Sequence, residues 1–201
     1  TLEGFYTRLN HAFYLQPVGE DEFGYLLEKQ NGQGAKIQGA TLELRFNYDR
    51  KVQFEGGFTI QSNIFDEEVE YIEGLPGLNE FVRTPNDYGF AMLSFTPNKK
   101  ISGSINYVYT GTMLVPHFAG APNQTIDEIT STDRFSELNF KFSYTLNLKK
   151  PALGIEIYVG VKNIFNAYQD QFDIGKNRDS NFIYGPAQPR TVFGGIKLIS
   201  L

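Results

Sequence analysis

Few residues in this 201-residue chain can carry reaction chemistry. There is no cysteine, which removes thiolate catalysis, thiolate metal sites and disulfides at once. Two histidines, His11 and His117, stand far apart, and neither has the paired spacing that a metal site needs. Ser102 and Ser104 lie near a short turn, on what would be the rim opposite His117, so no nucleophile and base meet there. Motifs of the GxSxG, HExxH, phosphate-loop and CxxC types are missing from the sequence. The expectation is therefore no catalytic residue, no metal, no cofactor and no enzyme. What remains is recognition chemistry. Aromatic and charged side chains fall together in long polar stretches: Tyr71, Phe81 and Arg83 in one, His117, Phe118 and Arg134 in a second, Arg178 and Tyr184 in a third. Such side chains suit contact with a bulky polar ligand. The acids Asp66, Glu67, Glu68, Glu70, Glu73 and Glu80 lack the fixed spacing of a calcium loop and read as a solvated face.

The elements between these stretches alternate with period two. In residues 40–48, Ala40, Leu42, Leu44, Phe46 and Tyr48 share one face, against Thr41, Glu43, Arg45 and Asn47 on the other. Residues 137–148 oppose Leu138, Phe140, Phe142, Tyr144, Leu146 and Leu148 to Glu137, Asn139, Lys141, Ser143, Thr145 and Asn147. The pattern predicts strands at about 2–15, 36–49, 51–65, 87–96, 100–111, 135–148, 153–164 and 190–201. Helical periodicity is weak throughout. Eighteen Phe, 12 Tyr and 20 Gly, with no Trp, suit an all-β chain. A net charge of −5 without a basic stripe excludes a nucleic-acid partner.

The predicted connections alternate in length. Asp49-Arg50, Pro97-Asn98-Lys99 and Lys149-Lys150-Pro151 are short, whereas 16–35, 66–86, 112–134 and 165–189 are long. In an antiparallel up-and-down sheet this puts tight turns on one edge and long loops on the other, the layout of an outer-membrane barrel. Strands beyond ten residues point the same way. The polar face alone does not choose between bulk solvent and a wet channel.

Two segments resemble a known family. Residues 161–168, VKNIFNAY, look like the N-L-F-N/D-x-x-Y segment of TonB-dependent outer-membrane receptors, and carry Asn163, Phe165, Asn166 and Tyr168. Gln188-Pro189-Arg190-Thr191, followed by Gly194-Gly195-Ile196, resembles their G-x-P-R-x-x-x-x-G entry to the last strand. Residues 86–90 and 96–100 resemble the Bacteroidetes members more loosely. The resemblance implies that residues 1–201 are the C-terminal portion of the receptor β-barrel, the last eight or so strands of a 22-stranded transmembrane barrel, with plug and TonB box absent. It implies TonB-energised uptake of a small-molecule, metal-chelate or glycan cargo (siderophore-iron, cobalamin or a glycan). The implied partners are outer-membrane lipid and the TonB complex, the latter through a missing N-terminal part. The implied location is the outer membrane of a Gram-negative bacterium. Within the motifs, Asn163, Phe165, Asn166, Tyr168, Pro189, Arg190 and Gly194 have structural parts, with Arg190 ordering the turn into the final strand. The chain departs from the family in ending at Leu201 rather than an aromatic residue. Two other readings compete: a stand-alone eight-stranded outer-membrane barrel with an adhesive or structural role, and a soluble β-sandwich binding module.

Overall fold

The computed structural model describes residues 1–11, 13–22, 24–148, 153–186 and 188–200. Thirteen strands are present among them: β1 (Leu2–Leu9), β2 (Phe13–Asp21), β3 (Gly24–Asn31), β4 (Ala35–Tyr48), β5 (Val52–Val69), β6 (Leu78–Glu80), β7 (Asp87–Asn98), β8 (Ile101–Thr110), β9 (Leu114–His117), β10 (Glu128–Ser131), β11 (Phe135–Leu148), β12 (Leu153–Lys162) and β13 (Thr191–Ser200). The main sheet runs β1-β4-β5-β7-β8-β11-β12-β13, with β6 added to the far end of β5. All its pairings are antiparallel. Its eight long strands are the eight that period-two alternation marks in the sequence.

Register turns that alternation into two continuous faces. Phe46 pairs with Phe54, Phe54 with Leu93, Leu93 with Ile105, Ile105 with Phe140, Phe140 with Val161 and Val161 with Val192. Directly opposed residues point the same way, so one apolar row crosses seven strands. The opposite face holds Thr41 hydrogen-bonded to Thr59 at 2.9 Å and Arg45 paired with Glu55 at 3.0 Å. Among the described residues no second sheet covers the apolar face. Phe140 and Phe142 are each 38 % exposed, Ile157 46 % and Val192 70 %.

The short-turn edge is set locally. Asp49 and Arg50 both adopt left-handed backbone, with φ of 49° and 54°, the two-residue hairpin geometry that matches strand twist. The Asn47 side chain accepts the Arg50 N–H at 3.1 Å, and Lys51 N–H closes the turn on Tyr48 O at 2.9 Å. At the next hairpin β7 continues through Asn98 and β8 begins at Ile101, so the turn is Lys99-Lys100 rather than Pro97-Asn98-Lys99. The Asn98 side chain there accepts the N–H groups of Lys100 and Ile101. The third turn, Lys149-Lys150-Pro151, lies outside the described residues, as does Leu201.

The long connections contain structure that the sequence conceals. The expected strand 2–15 stops at Leu9, and β2 and β3 form a separate hairpin that takes in the end of that expected strand and most of what reads as loop 16–35. A register shift between Pro17 and Gly19 breaks the alternation there; proline also cannot donate to a ladder. β5 runs to Val69, and β9 and β10 pair within 112–134. The buried apolar side chains Ala35, Ile72, Val115, Ala121, Phe135 and Phe182 gather at this end.

The topology corrects the expectation of a closed transmembrane β-barrel. Strand order begins on β1 and ends on β13, and these two do not pair with each other. The sheet is open, with unpaired N–H and C=O groups along both outer strands. Such groups cost several kcal/mol each in hydrocarbon, so an open edge cannot stand in a bilayer core. The expected transmembrane strands, outer-membrane location, lipid partner and stand-alone eight-stranded barrel all require closure and fall with it. An open sheet encloses no channel. TonB-energised uptake of siderophore-iron, cobalamin or glycan, and engagement of the TonB complex, therefore have no structure here on which to act. Among the described residues no helix is long and apolar enough to cross a membrane, an observation that does not bear on strands.

Candidate functional site

The long-connection end of the sheet is cross-braced. His117, at the end of β9, stacks face to face on Phe182, with centroids 3.5 Å apart and planes 3° apart. Phe182 meets Tyr184 edge-on at 5.1 Å, and Tyr184 meets Phe135 at 6.0 Å. His117 Nε2 lies 2.9 Å from Asp173 Oδ1, and Nδ1 lies 3.9 Å from Glu128. Both the His117 and Asp173 side chains are buried. Burial alone would raise the Asp173 carboxyl; the Asp179 N–H and His117 outweigh it and hold the group below the ordinary carboxylate range.

Side chains then tie backbone to backbone across the connections. Asp173 Oδ2 accepts the Asp179 N–H at 2.9 Å, and Asp179 accepts the N–H groups of Phe118 and Asn181 at 3.2 and 2.8 Å. Asn123 donates to Phe172 O and accepts from Ile174 N–H. Gln169 donates to Phe182 O and accepts from Tyr184 N–H, each at 3.0 Å. Arg83 reaches from the 66–86 connection to Asn181 O at 2.5 Å, while its own N–H bonds Leu114 O at 2.7 Å.

Beside this braced cluster opens a groove of about 530 Å³, lined by residues that include Thr112, Asp133, Arg134, Asn166, Tyr168 and Asp170. Arg134 makes no ion pair among the described residues. Burial raises the Tyr184 hydroxyl above its ordinary value, and the negative charges of Asp133 and Asp170 raise it further. The groove thus offers the Asp133 and Asp170 carboxylates, the Arg134 guanidinium and the Tyr168 phenol, whose side chains make no hydrogen bond among the described residues.

Of the residues the sequence offers for ligand contact, Arg83, His117, Phe118 and Tyr184 come together in the brace, and Arg134 stands in the groove. Tyr71 and Phe81 sit apart on the β5–β6 side. There Tyr71 donates to Glu80 O at 3.0 Å, and Phe81 stacks on Phe65 with centroids 4.2 Å apart. Burial raises the Tyr71 hydroxyl. Arg178 is exposed and joins neither group. Asn123, Gln169 and Phe182 are cluster residues that sequence reasoning passes over, since irregular backbone gives them no periodicity.

The motif residues knit β12 to the entry of β13. Asn163 is 1 % exposed with φ of 49°. Its side chain donates to Ala167 O at 3.0 Å and Gln188 O at 2.8 Å, and accepts from Ala167 N–H at 2.9 Å. Asn166 accepts the Arg190 N–H at 2.8 Å, and Arg190 Nε donates to Ile164 O at 2.8 Å. Pro189 O accepts from the Thr191 hydroxyl at 3.0 Å. Gly194 pairs with Val159, and a Cβ there would lie 3.1 Å from Tyr158 O. Phe165 is exposed, whereas Tyr168 turns to the groove.

Two solved structures share this arrangement of strands. One is the closed form of the ferric-catecholate import receptor Fiu from Escherichia coli K12, with a TM-score of 0.61 and 18 % identity over 95 % of this chain. The other is the siderophore receptor PirA from Acinetobacter baumannii, with a TM-score of 0.57 and 16 % identity over 97 % of this chain. The chain is weakly similar in fold to TonB-dependent outer-membrane receptors. It spans 24 % and 28 % of those two proteins, and at such identity the likeness is one of fold alone. No protein-family model matches the sequence, and no curated protein does.

Proposed function

We propose that this chain is a binding module, with the long-connection end of its open sheet as the recognition surface. The chain corresponds, in this reading, to the C-terminal strands of the receptor fold. Supporting that assignment are the two sequence motifs and the hydrogen bonds by which Asn163, Asn166 and Arg190 join β12 to β13. The observation that carries the functional reading is the groove beside the braced cluster. Loops of this length normally cost entropy to order on binding. Here His117, Asp173, Asp179 and Gln169 have already ordered them, while Asp133, Arg134, Tyr168 and Asp170 face the groove. That set suits a compact polar ligand with hydrogen-bond donors for the carboxylates and an acceptor for Arg134.

The test is a screen of zwitterionic and polyfunctional small molecules by amide chemical-shift mapping on the full chain. A ligand should perturb residues 132–135 and 166–170 in saturable fashion, and Asp170→Asn or Arg134→Gln should weaken it by about tenfold, equivalent to ~1.4 kcal/mol. Ligands that map only to the short-turn edge, or that ignore both substitutions, would refute the assignment.

A further inference from the structure

A second concavity, of about 500 Å³, lies on the polar face over β8, β11, β12 and β13, and shares no lining residue with the loop groove. Aromatic rings lie over cross-strand glycines elsewhere on that face, Phe5 over Gly39 and Phe90 over Gly57, and here two such pairs adjoin. Phe193 pairs with Gly160, and the space a Gly160 Cβ would fill is taken by the Phe193 ring. Tyr158 covers Gly195 in the same way. The two rings tilt at 52° with centroids 6.4 Å apart, so glycines on neighbouring strands let aromatic surface lie along the sheet. Lysines border this floor. Lys141 places its ammonium 4.9 Å from the centroid of Tyr158, and Lys162 joins it in lining the concavity. Neither lysine has a carboxylate within ion-pair distance among the described residues. The acid in the concavity, Glu137, accepts a hydrogen bond from Asn139 at 2.8 Å. Asn139 in turn accepts the N–H of the buried Asn163 at 2.8 Å, which fixes the rim.

We propose that this concavity binds a planar aromatic carboxylate, with its ring against Phe193 and its carboxylate between Lys162 and Lys141. The ring needs an apolar floor with π surface, and offset or tilted aromatic pairs gain beyond simple burial. The carboxylate needs donors not committed elsewhere, and charge-assisted hydrogen bonds are the stronger class. An isolated inorganic anion would leave the floor unused, and a neutral ring would leave the two ammonium groups unused. The site rests mainly on β8, β11, β12 and β13, with Gln188 of the last long connection at its rim, and shares no residue with the loop groove.

The experiment is a ¹⁹F NMR titration of 4-fluorobenzoate into the full chain, with 4-fluorobenzyl alcohol as the ring without charge and acetate as the charge without ring. Saturable binding of 4-fluorobenzoate is expected, with amide shifts at 139–141, 160–162 and 193–195. The alcohol should bind at least about tenfold more weakly, and acetate should not displace the probe at equal concentration. Lys162→Gln, an exposed change that leaves the floor intact, should weaken binding by about tenfold. Phe193→Leu should abolish the ring-dependent preference over acetate. Non-saturable shifts, equal affinity for the alcohol, or unchanged affinity in the Lys162→Gln variant would overturn the proposal. Should Phe193→Leu alter the β12–β13 amide spectrum without ligand, the Lys162→Gln result alone decides.

Discussion

Replacing Asn163 by alanine tests the link between β12 and the entry of β13, where three hydrogen bonds converge on one side chain. The substitution removes three hydrogen bonds, at 2.8, 2.9 and 3.0 Å, from a residue 1 % exposed. At about 0.5–1.5 kcal/mol net each, they contribute roughly 3 kcal/mol. Asn163 also holds φ of 49°, where alanine costs about 1 kcal/mol more. The expected loss is about 4 kcal/mol, or ~8–16 °C in Tm for a domain of this size. Asn163→Gly separates the two contributions: it loses the bonds but tolerates the backbone, so it should be about 1 kcal/mol less damaging. Urea unfolding followed by far-ultraviolet circular dichroism gives both values. The reasoning fails if Asn163→Ala falls within 1 kcal/mol of the parent, or if the glycine variant is the worse of the two.

Four further outcomes follow from the same geometry. Arg83→Ala removes the bond to Asn181 O, so hydrogen exchange should quicken at 179–184 while the amides of β11 and β12 stay unchanged; an equal rise in the strands would contradict this. His117→Ala leaves the buried Asp173 carboxylate without its side-chain partner and should cost about 2 kcal/mol in urea unfolding; a loss below 0.5 kcal/mol would show that the contact is idle. Arg8, through a side-chain hydrogen bond, holds the Asp66 carboxyl below its ordinary value. A depressed carboxyl stabilises the fold above its unfolded value and loses that contribution as pH falls through the folded one. Exchange at β1 should therefore rise only below about pH 4, and an onset near neutrality would refute the assignment. Gly39 stands where a Cβ would meet Ile60 O on β5 and the Phe5 ring, so Gly39→Ala should destabilise by about 1–3 kcal/mol in thermal unfolding; a neutral result would contradict this packing.

The parts of the fold legible in the sequence are those with a simple period. The main strands show in the sequence because alternation is strict in runs such as Ala40–Tyr48 and Leu138–Leu148, and persists less cleanly in 88–96, where Phe90 and Met92 break it, in 101–110, where Val108 does, and in 191–201, where Phe193 and Ile199 do. Asp49-Arg50 reads as a turn because two polar residues sit between such runs. Closure was not legible. Whether β1 meets β13 depends on strand number and curvature, and alternation carries information about neither. The β2–β3 hairpin is hidden by its bulge at Pro17–Gly19. The brace is harder still: Gln169, Asp173 and Asp179 act through backbone groups up to 61 residues away, and only the folded connections bring those together. Arg83 and Tyr184 stand out by type in polar stretches, whereas Phe182 looks like any other phenylalanine.

Both binding surfaces require the sheet to be open. Nuclear Overhauser contacts in the monomeric, isotope-labelled chain examine it directly, because β1 and β13 are either neighbours or not. The account predicts cross-strand contacts from β1 to β4 alone and from β13 to β12 alone, such as Gly4 with Ala40 and Ile157 with Ile196. Contacts between residues 2–9 and 191–200 within one molecule would contradict it.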